Sequence, residues 1–469
     1  MMNDVDVTNK DKNFTQDDNL IETKLLSLTE SDKKELVDAQ LQLSRKLESS
    51  GLNFEGKSYP VSIRPLIMSD KMSAELKAIG EHFATIFDKF ARVWIESIKI
   101  REYFPTYKKS EHFIFSLPNH VPLTRIFRLD GLFSTDGVYQ ILETNTDCPG
   151  GVIQNGLAGK IWSTIENPLL KDHIANVEFQ PFVKDPDLFL KELLTTHQER
   201  TGKNAKRAAI VTYKGRFKNE ITWMADGLNR LGVPTEIIDA SLLKRKDGHL
   251  INQHGEVIDL AYNKLDLRDL VNQPEVEEYL TAAYNGEVTF INPLICQWPL
   301  ADKAIMAILS DREMISFLDD DDKEFCIKHI PWTRVVKDET TISMDGDNVK
   351  LFDWAIKNKQ RLVLKPSNAT RGEGLLIGPF TESQEWKMTL KQALDDNETW
   401  IVQEYIRGRL INAIHPDIGV TDPMWSGIDT YVFGGKFAGF QARASFDPVM
   451  NVGRRGILLP VAIVKENIK

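Results

Sequence analysis

The sequence predicts an α/β and α+β multidomain chain: a helical N-terminal region, a parallel-sheet domain, and lobes in which helices and strands alternate closely. Three observations predict it. Apolar residues recur at helical spacing from Met72 to Ile98, short apolar runs flank a helical stretch between Ala205 and Asn292, and strand-like runs after residue 300 alternate with glycine-containing loops. At roughly 150 residues per domain, 469 residues give room for two to three domains whose cores need no staples.

Composition narrows the function. Apolar residues at 42% and charged residues at 27% exclude a disordered or fibrous chain. With 58 Lys and Arg against 68 Asp and Glu, the net charge of −10 argues against wholesale phosphate-backbone binding, so nucleic acid is not an expected partner. Cys148, Cys296 and Cys326 are odd in number, widely spaced and without a CxxC pair, which suits reduced thiols in a cytoplasm. No stretch approaches the ~18 apolar residues of a membrane span, and the first twenty residues lack a signal-peptide core; a cytoplasmic protein with no membrane partner is expected.

Taken in order, residues 1–20 are polar, lack periodicity, and read as a disordered tail. Residues 21–110 read as helical. Thr29 to Asp32 resembles a capping box, Leu36, Val37, Leu41 and Leu47 follow, and Gly51 suits the end of that helix. Leu76, Ile79, Phe83, Phe87, Phe90, Trp94 and Ile98 then mark one buried helical face. Residues 111–200 contain a hairpin, and residues 201–300 a βαβ pattern: Ala208 to Val211, a helix around Ile221 to Leu231, then Thr235 to Ile238, with Val257 to Ala261 and Val288 to Ile291 extending the same parallel sheet. This Rossmann-like pattern lacks the GxGxxG fingerprint after its first strand, where Tyr213-Lys214-Gly215-Arg216 stands, so it reads as a scaffold. The acid run from Asp319 to Asp322 with Lys323 reads as a solvated loop.

The hairpin is the most informative stretch. Ile126 to Asp130 and Tyr139 to Asn145 are strand candidates around Asp136-Gly137, a two-residue turn signal. That turn places Asp130 opposite Glu143 and Arg128 opposite Asn145, all four on one face. Two carboxylates facing each other need a compensating cation, and the hard oxygens of Asp130, Glu143 and Asn145 suit Mg²⁺. The alternative is a hairpin whose acids point into water, or one slipped by a residue.

A nucleotide cradle is suggested downstream. Leu362 to Pro366 reads as a buried strand ending in Lys365, followed by a small-residue loop, Ser367 to Gly374, that includes Thr370, Gly372 and Gly374 and could donate N–H groups to phosphates. Thr399 to Ile406 is an apolar strand running into a polar pair, and the hairpin Tyr431 to Arg443 ends in an arginine that strand alternation could aim into a cleft; Arg454 and Arg455 follow.

Together these pieces resemble the ATP-grasp superfamily, and their order is that of its circularly permuted branch, to which the synthetase domain of glutathionylspermidine synthetase belongs. Arg128-Leu129-Asp130 and Glu143-Thr144-Asn145 precede Asn292-Pro293, Ala301-Asp302-Lys303, Ile330 to Arg334 and Leu364-Lys365-Pro366. The resemblance implies a circularly permuted ATP-grasp fold with residues 111–200 as the metal-binding part of its core, residues 201–300 as a Rossmann-like pre-ATP-grasp domain, and residues 301–469 as ATP-binding lobes. It implies that Asp130, Glu143 and Asn145 hold Mg²⁺, that Lys303 and Lys365 meet the phosphates of ATP, and that Ser367, Thr370, Gly372 and Gly374 belong to a loop over the nucleotide. Gln403, Glu404, Tyr405 and Ile406 would be the hinge around adenine, and Arg128 would stabilise the oxyanion formed as the nucleophile adds; Arg443, aimed by strand alternation, is a further catalytic candidate that would contact substrate or phosphate. The implied reaction is ATP-dependent carboxylate–amine ligation through an acyl phosphate, forming an amide or peptide-like bond with release of ADP and phosphate. The substrates would be small molecules: an amino acid, peptide, polyamine or carrier-bound acyl group. A phosphotransferase, or a nucleotide-binding protein without turnover, is the alternative.

Overall fold

A computed structural model of the chain describes residues 16–54, 56–170, 177–214, 218–265, 270, 272–370, 372–450 and 456–465. Residues 1–15 of the expected tail, Gly215 and Arg216 of the scaffold turn, Arg371 of the glycine loop, Arg454 and Arg455 lie outside the described residues.

The rest of the expected tail is not loose. Residues from Gln16 form a helix, Gln16–Leu26, in which Asp18 is fully buried and Ile21 and Leu25 join an apolar cluster with Leu36, Leu43 and Leu47. Its docked face includes a carboxylate, so apolar periodicity alone could not reveal it. The next helix, Glu30–Ser49, begins with the expected reciprocal cap between Thr29 and Asp32, while Val37 and Leu41 face solvent. The long helix Asp70–Glu96 buries Leu76, Phe83, Phe87, Phe90 and Trp94, and its Phe87 ring meets Phe127 edge-on at 5.1 Å, seating the helix on the core sheet.

The acid run departs from the solvated-loop expectation. Asp319 caps the helix Asp320–His329 by accepting from the Asp322 amide, and Asp322 is buried against His82 and Lys89 of the long helix. Acidic residues are favoured at a helix N-terminus, and the cation that allows Asp322 to be buried comes from far upstream.

The core sheet is antiparallel, in the order Gly456–Leu459, Lys436–Ser445, Met424–Phe433, Ile126–Phe133, Tyr139–Asn145, with Arg409–Ile411 also pairing with Met424–Phe433. The hairpin therefore completes a sheet whose other strands lie about three hundred residues later in the chain. A second sheet is wholly parallel, in the order Thr289–Ile291, Leu260–Asn263, Ala208–Thr212, Thr235–Asp239. The strand Leu260–Asn263 begins later than expected, since Val257 makes only an isolated bridge with Ile251. Asn292 fixes this sheet to the core: its side-chain oxygen accepts from the amides of Arg125 and Ile126, and its amide donates to the carbonyls of Ile126 and Thr146. A third, antiparallel sheet runs Thr333–Val335, Trp400–Glu404, Leu362–Pro366, Leu376–Ile377. Among the described residues no helix is long and apolar enough to cross a membrane.

Candidate active site

The hairpin pairs Asp130 with Glu143 and Arg128 with Asn145, as the sequence predicts, but by a different route. The turn is not a two-residue one. The Gly137 amide donates to Ser134 and the Ser134 amide to Val138, with only Gly137 at positive φ (+85°), so three residues form the loop and the register beside it is displaced by one. A bulge between Asp130 and Gly131 restores the register, leaving Leu142 without a cross-strand partner. The two departures cancel. The bulge also frees the Leu142 carbonyl, which accepts from Lys365 Nζ at 3.2 Å and Gln403 Nε2 at 3.3 Å.

The compensating cations around the acids belong to the protein itself. Arg128 grips Asp130 with Nε to Oδ1 at 2.5 Å and Nη2 to Oδ2 at 2.9 Å, and Arg443 Nη2 donates to the same Oδ2 at 2.9 Å. Burial works to raise the Asp130 pKa, but Arg128 and Arg443 outweigh it and hold the carboxyl below its ordinary value. Sequence reasoning missed Asp429. It is fully buried in Met424–Phe433, accepts from Arg443 Nη2 at 2.7 Å, and has its pKa pushed up to about 7 by burial, against the pull of Arg443. An acid in the run Ile428 to Phe433, whose other residues are apolar apart from Thr430, was the available signal.

Strand alternation aims the lysine. In Leu362–Pro366, Leu362 and Leu364 pack into a cluster with Trp386 and Val402, while Val363 and Lys365 face the cleft. Lys365 Nζ donates to Gln403 Oε1 at 3.0 Å, and burial lowers its pKa from 10.5 to about 8 despite nearby Glu143. Lys303 Nζ donates to the Ala369 carbonyl at 2.8 Å and lies 3.3 Å from Glu143 Oε2. Burial disfavours the ionised Glu143, but Lys303 and then Lys365 reverse this and leave its pKa lowered.

One cleft, with a cavity of about 390 Å³, gathers these groups. Its walls include Arg128, Asp130, Glu143, Asn145, Lys303, Lys365, Thr370, Gly372, Gln403, Glu404, Tyr405, Ile406 and Arg443. Ser367 and Gly374 do not reach it: Ser367 is fully buried, and Gly374, at φ +68°, packs on Pro366 and Trp400. Gln403 turns its side chain to Lys365 and Thr333, and the amides of Glu404 and Tyr405 donate to the carbonyls of Trp332 and Arg361. In the expected hinge these two amides are therefore already engaged within the protein. The parallel-sheet region, expected to be a scaffold alone, contributes Glu220 and Lys264 to the walls. Lys264 Nζ donates to the carbonyls of Cys148 and Pro149 and pairs with Glu220 at 3.0 Å.

A divalent cation fits this donor set. Glu143 is only half-buried and faces the cleft beside Asn145, whose side-chain oxygen is a hard donor of the same kind, while its buried Nδ2, without a hydrogen-bond partner among the described residues, is an N–H donor that suits an anionic oxygen rather than the cation. Among the described residues Asp130 Oδ1 accepts one hydrogen bond, from Arg128 Nε, which leaves it a second acceptor position. Among the described residues no three His, Cys, Asp or Glu side chains stand together as a metal cluster; the oxygen donors here are two carboxylates and an amide.

No protein-family model matches the chain, and no curated protein matches it. Among solved structures it is similar to a glutathione synthetase-like effector from Globodera pallida in its apo form, at 15% identity and a TM-score of 0.61, over 92% of this chain and 98% of that one. The likeness concerns architecture: this chain has a glutathione synthetase-like fold.

Proposed function

We propose that the chain is an ATP-dependent carboxylate–amine ligase of the circularly permuted ATP-grasp type, with the domain limits given by the sequence. The observation that carries this reading is the meeting, in one cleft, of Asp130, Glu143 and Asn145 from the early hairpin with Lys303 and Lys365 from downstream. The phosphates of ATP lie between the two lysines, which neutralise their charge and align the γ-phosphate with the substrate carboxylate. Glu143, Asn145 and Asp130 would hold Mg²⁺, which when bound would supply further neutralisation of phosphate oxygens. Arg128 and Arg443, already braced by Asp130 and Asp429, present guanidinium charge where an oxyanion develops as the amine adds to the acyl phosphate. No protein nucleophile is required.

The test is ADP release with pooled carboxylates and amines, with and without Mg²⁺, followed by product mass spectrometry. Orthophosphate together with a new amide supports ligation, whereas a stable phosphorylated product replaces it with phosphotransfer. Absence of both ATP binding and ADP release overturns both.

A pH dependence follows from Lys365. Phosphate binds the protonated amine, and the free cleft holds that amine at a pKa of about 8. Affinity for ATP should therefore be highest below pH 8 and fall by about tenfold per pH unit above it, until other groups titrate. Calorimetric titration between pH 6.5 and 9.5 checks this, and Lys365→Met should flatten the profile.

A further inference from the structure

We infer that the N-terminal helix Gln16–Leu26 is a strap that sets the nucleotide hinge, with Asp18 and Glu22 as its positioning residues. The inference rests on the nucleotide reading of the cleft but concerns residues outside it. The polypeptide passes from Trp400–Glu404 through Tyr405 and Ile406, which line the cleft, directly into Arg409–Ile411, which pairs with the core sheet. The third sheet, which carries Lys365, rejoins the core at this crossing. The strap holds it.

Asp18 is fully buried. Its Oδ2 accepts from Arg409 Nη1 at 2.6 Å and from Arg64 Nη2 at 3.3 Å, and its Oδ1 accepts from the Ile67 amide at 3.0 Å. One carboxylate thus joins the crossing strand, a loop arginine and the edge of Leu66–Ser69. Glu22, one helical turn on, accepts from Arg64 Nη2 at 2.5 Å and from the Asn412 amide at 3.0 Å, and Asn19 Oδ1 accepts from Arg409 Nη2. Both ends of Arg409–Ile411 are therefore tied to the same helix face. On the other side of the crossing, Trp425, paired with Leu410, meets Phe380, which also touches Tyr405. Displacing Arg409 would shift this aromatic contact and, with it, the residues facing the base.

A purely structural anchor would stabilise the chain and nothing more. A strap coupled to the hinge also obeys reciprocity: if its docking favours nucleotide binding, nucleotide must favour its docking. Hydrogen exchange on the full chain, with and without ATP and Mg²⁺, should show added protection at residues 16–26 as well as at residues 403–411. Protection at 403–411 with none at 16–26 overturns the strap, while protection nowhere overturns the nucleotide reading itself. In parallel, Asp18→Asn and Glu22→Gln should weaken ATP binding by about tenfold, and Asp18→Glu should recover part of the loss. Folded variants that bind ATP like the parent overturn the proposal, and the exchange experiment decides it if the variants do not fold.

Discussion

Replacing Glu143 with Gln is expected to lower ADP release by about 10²–10³-fold, the cost of about 3–4 kcal/mol of charge stabilisation in the transition state. The fold should tolerate the change, because Glu143 sits at the cleft, half-buried, and its main partner is a lysine that has other contacts. Binding should respond in the opposite sense. Without the carboxylate, Lys303 and Lys365 lose the negative charge they share, so affinity for ATP in the absence of Mg²⁺ should rise several-fold while Mg²⁺ dependence is lost. Steady-state ADP release together with metal-free nucleotide titration separates the two effects. Parent-like turnover in the Gln variant would remove Glu143 from the chemistry.

Local signals in the sequence were strong where one residue or one short pattern determines the structure. The cap at Thr29, the stripe from Leu76 to Trp94, and the four parallel strands all express contacts within a few residues or a single apolar face. The carboxylate pairing was legible because it follows from strand geometry, although a three-residue loop and a bulge reached it together rather than a two-residue turn. Tertiary partnership was not legible. Asp18, Asp322 and Asp429 are buried acids whose arginine and lysine partners lie far away in the chain or across a strand pair, and no periodicity marks such a match. The same gap covers part of the charge balance at the hairpin: strand alternation places Arg128 beside Asp130, whereas the further relief of the Asp130–Glu143 repulsion by Arg443 and Lys303 depends on strands and loops that meet only in the assembled fold.

Gly131→Ala should be the most damaging single change at the site. A Cβ there would lie 2.5 Å from the Gln140 carbonyl oxygen and 2.6 Å from the Tyr139 ring, closer than real contacts allow. Neither obstacle can yield cheaply. Gln140 is paired with Leu132 in the ladder, and Tyr139 is buried with its hydroxyl donating to the Ile428 carbonyl at 2.8 Å. The strands must separate at the bulge, and the expected cost is about 3 kcal/mol of stability. Because the bulge is what turns the Leu142 carbonyl toward Lys365 and Gln403, nucleotide affinity should also fall, by about tenfold or more. Gly137→Ala is the matching control. It forces a side chain into the left-handed region at the loop tip, so it should cost about 1 kcal/mol while leaving ATP binding intact. If both alanine variants lost stability and neither lost affinity, the bulge would be a packing detail; loss of affinity in Gly131→Ala alone would make it the device that aligns the phosphate lysine with the carboxylate hairpin.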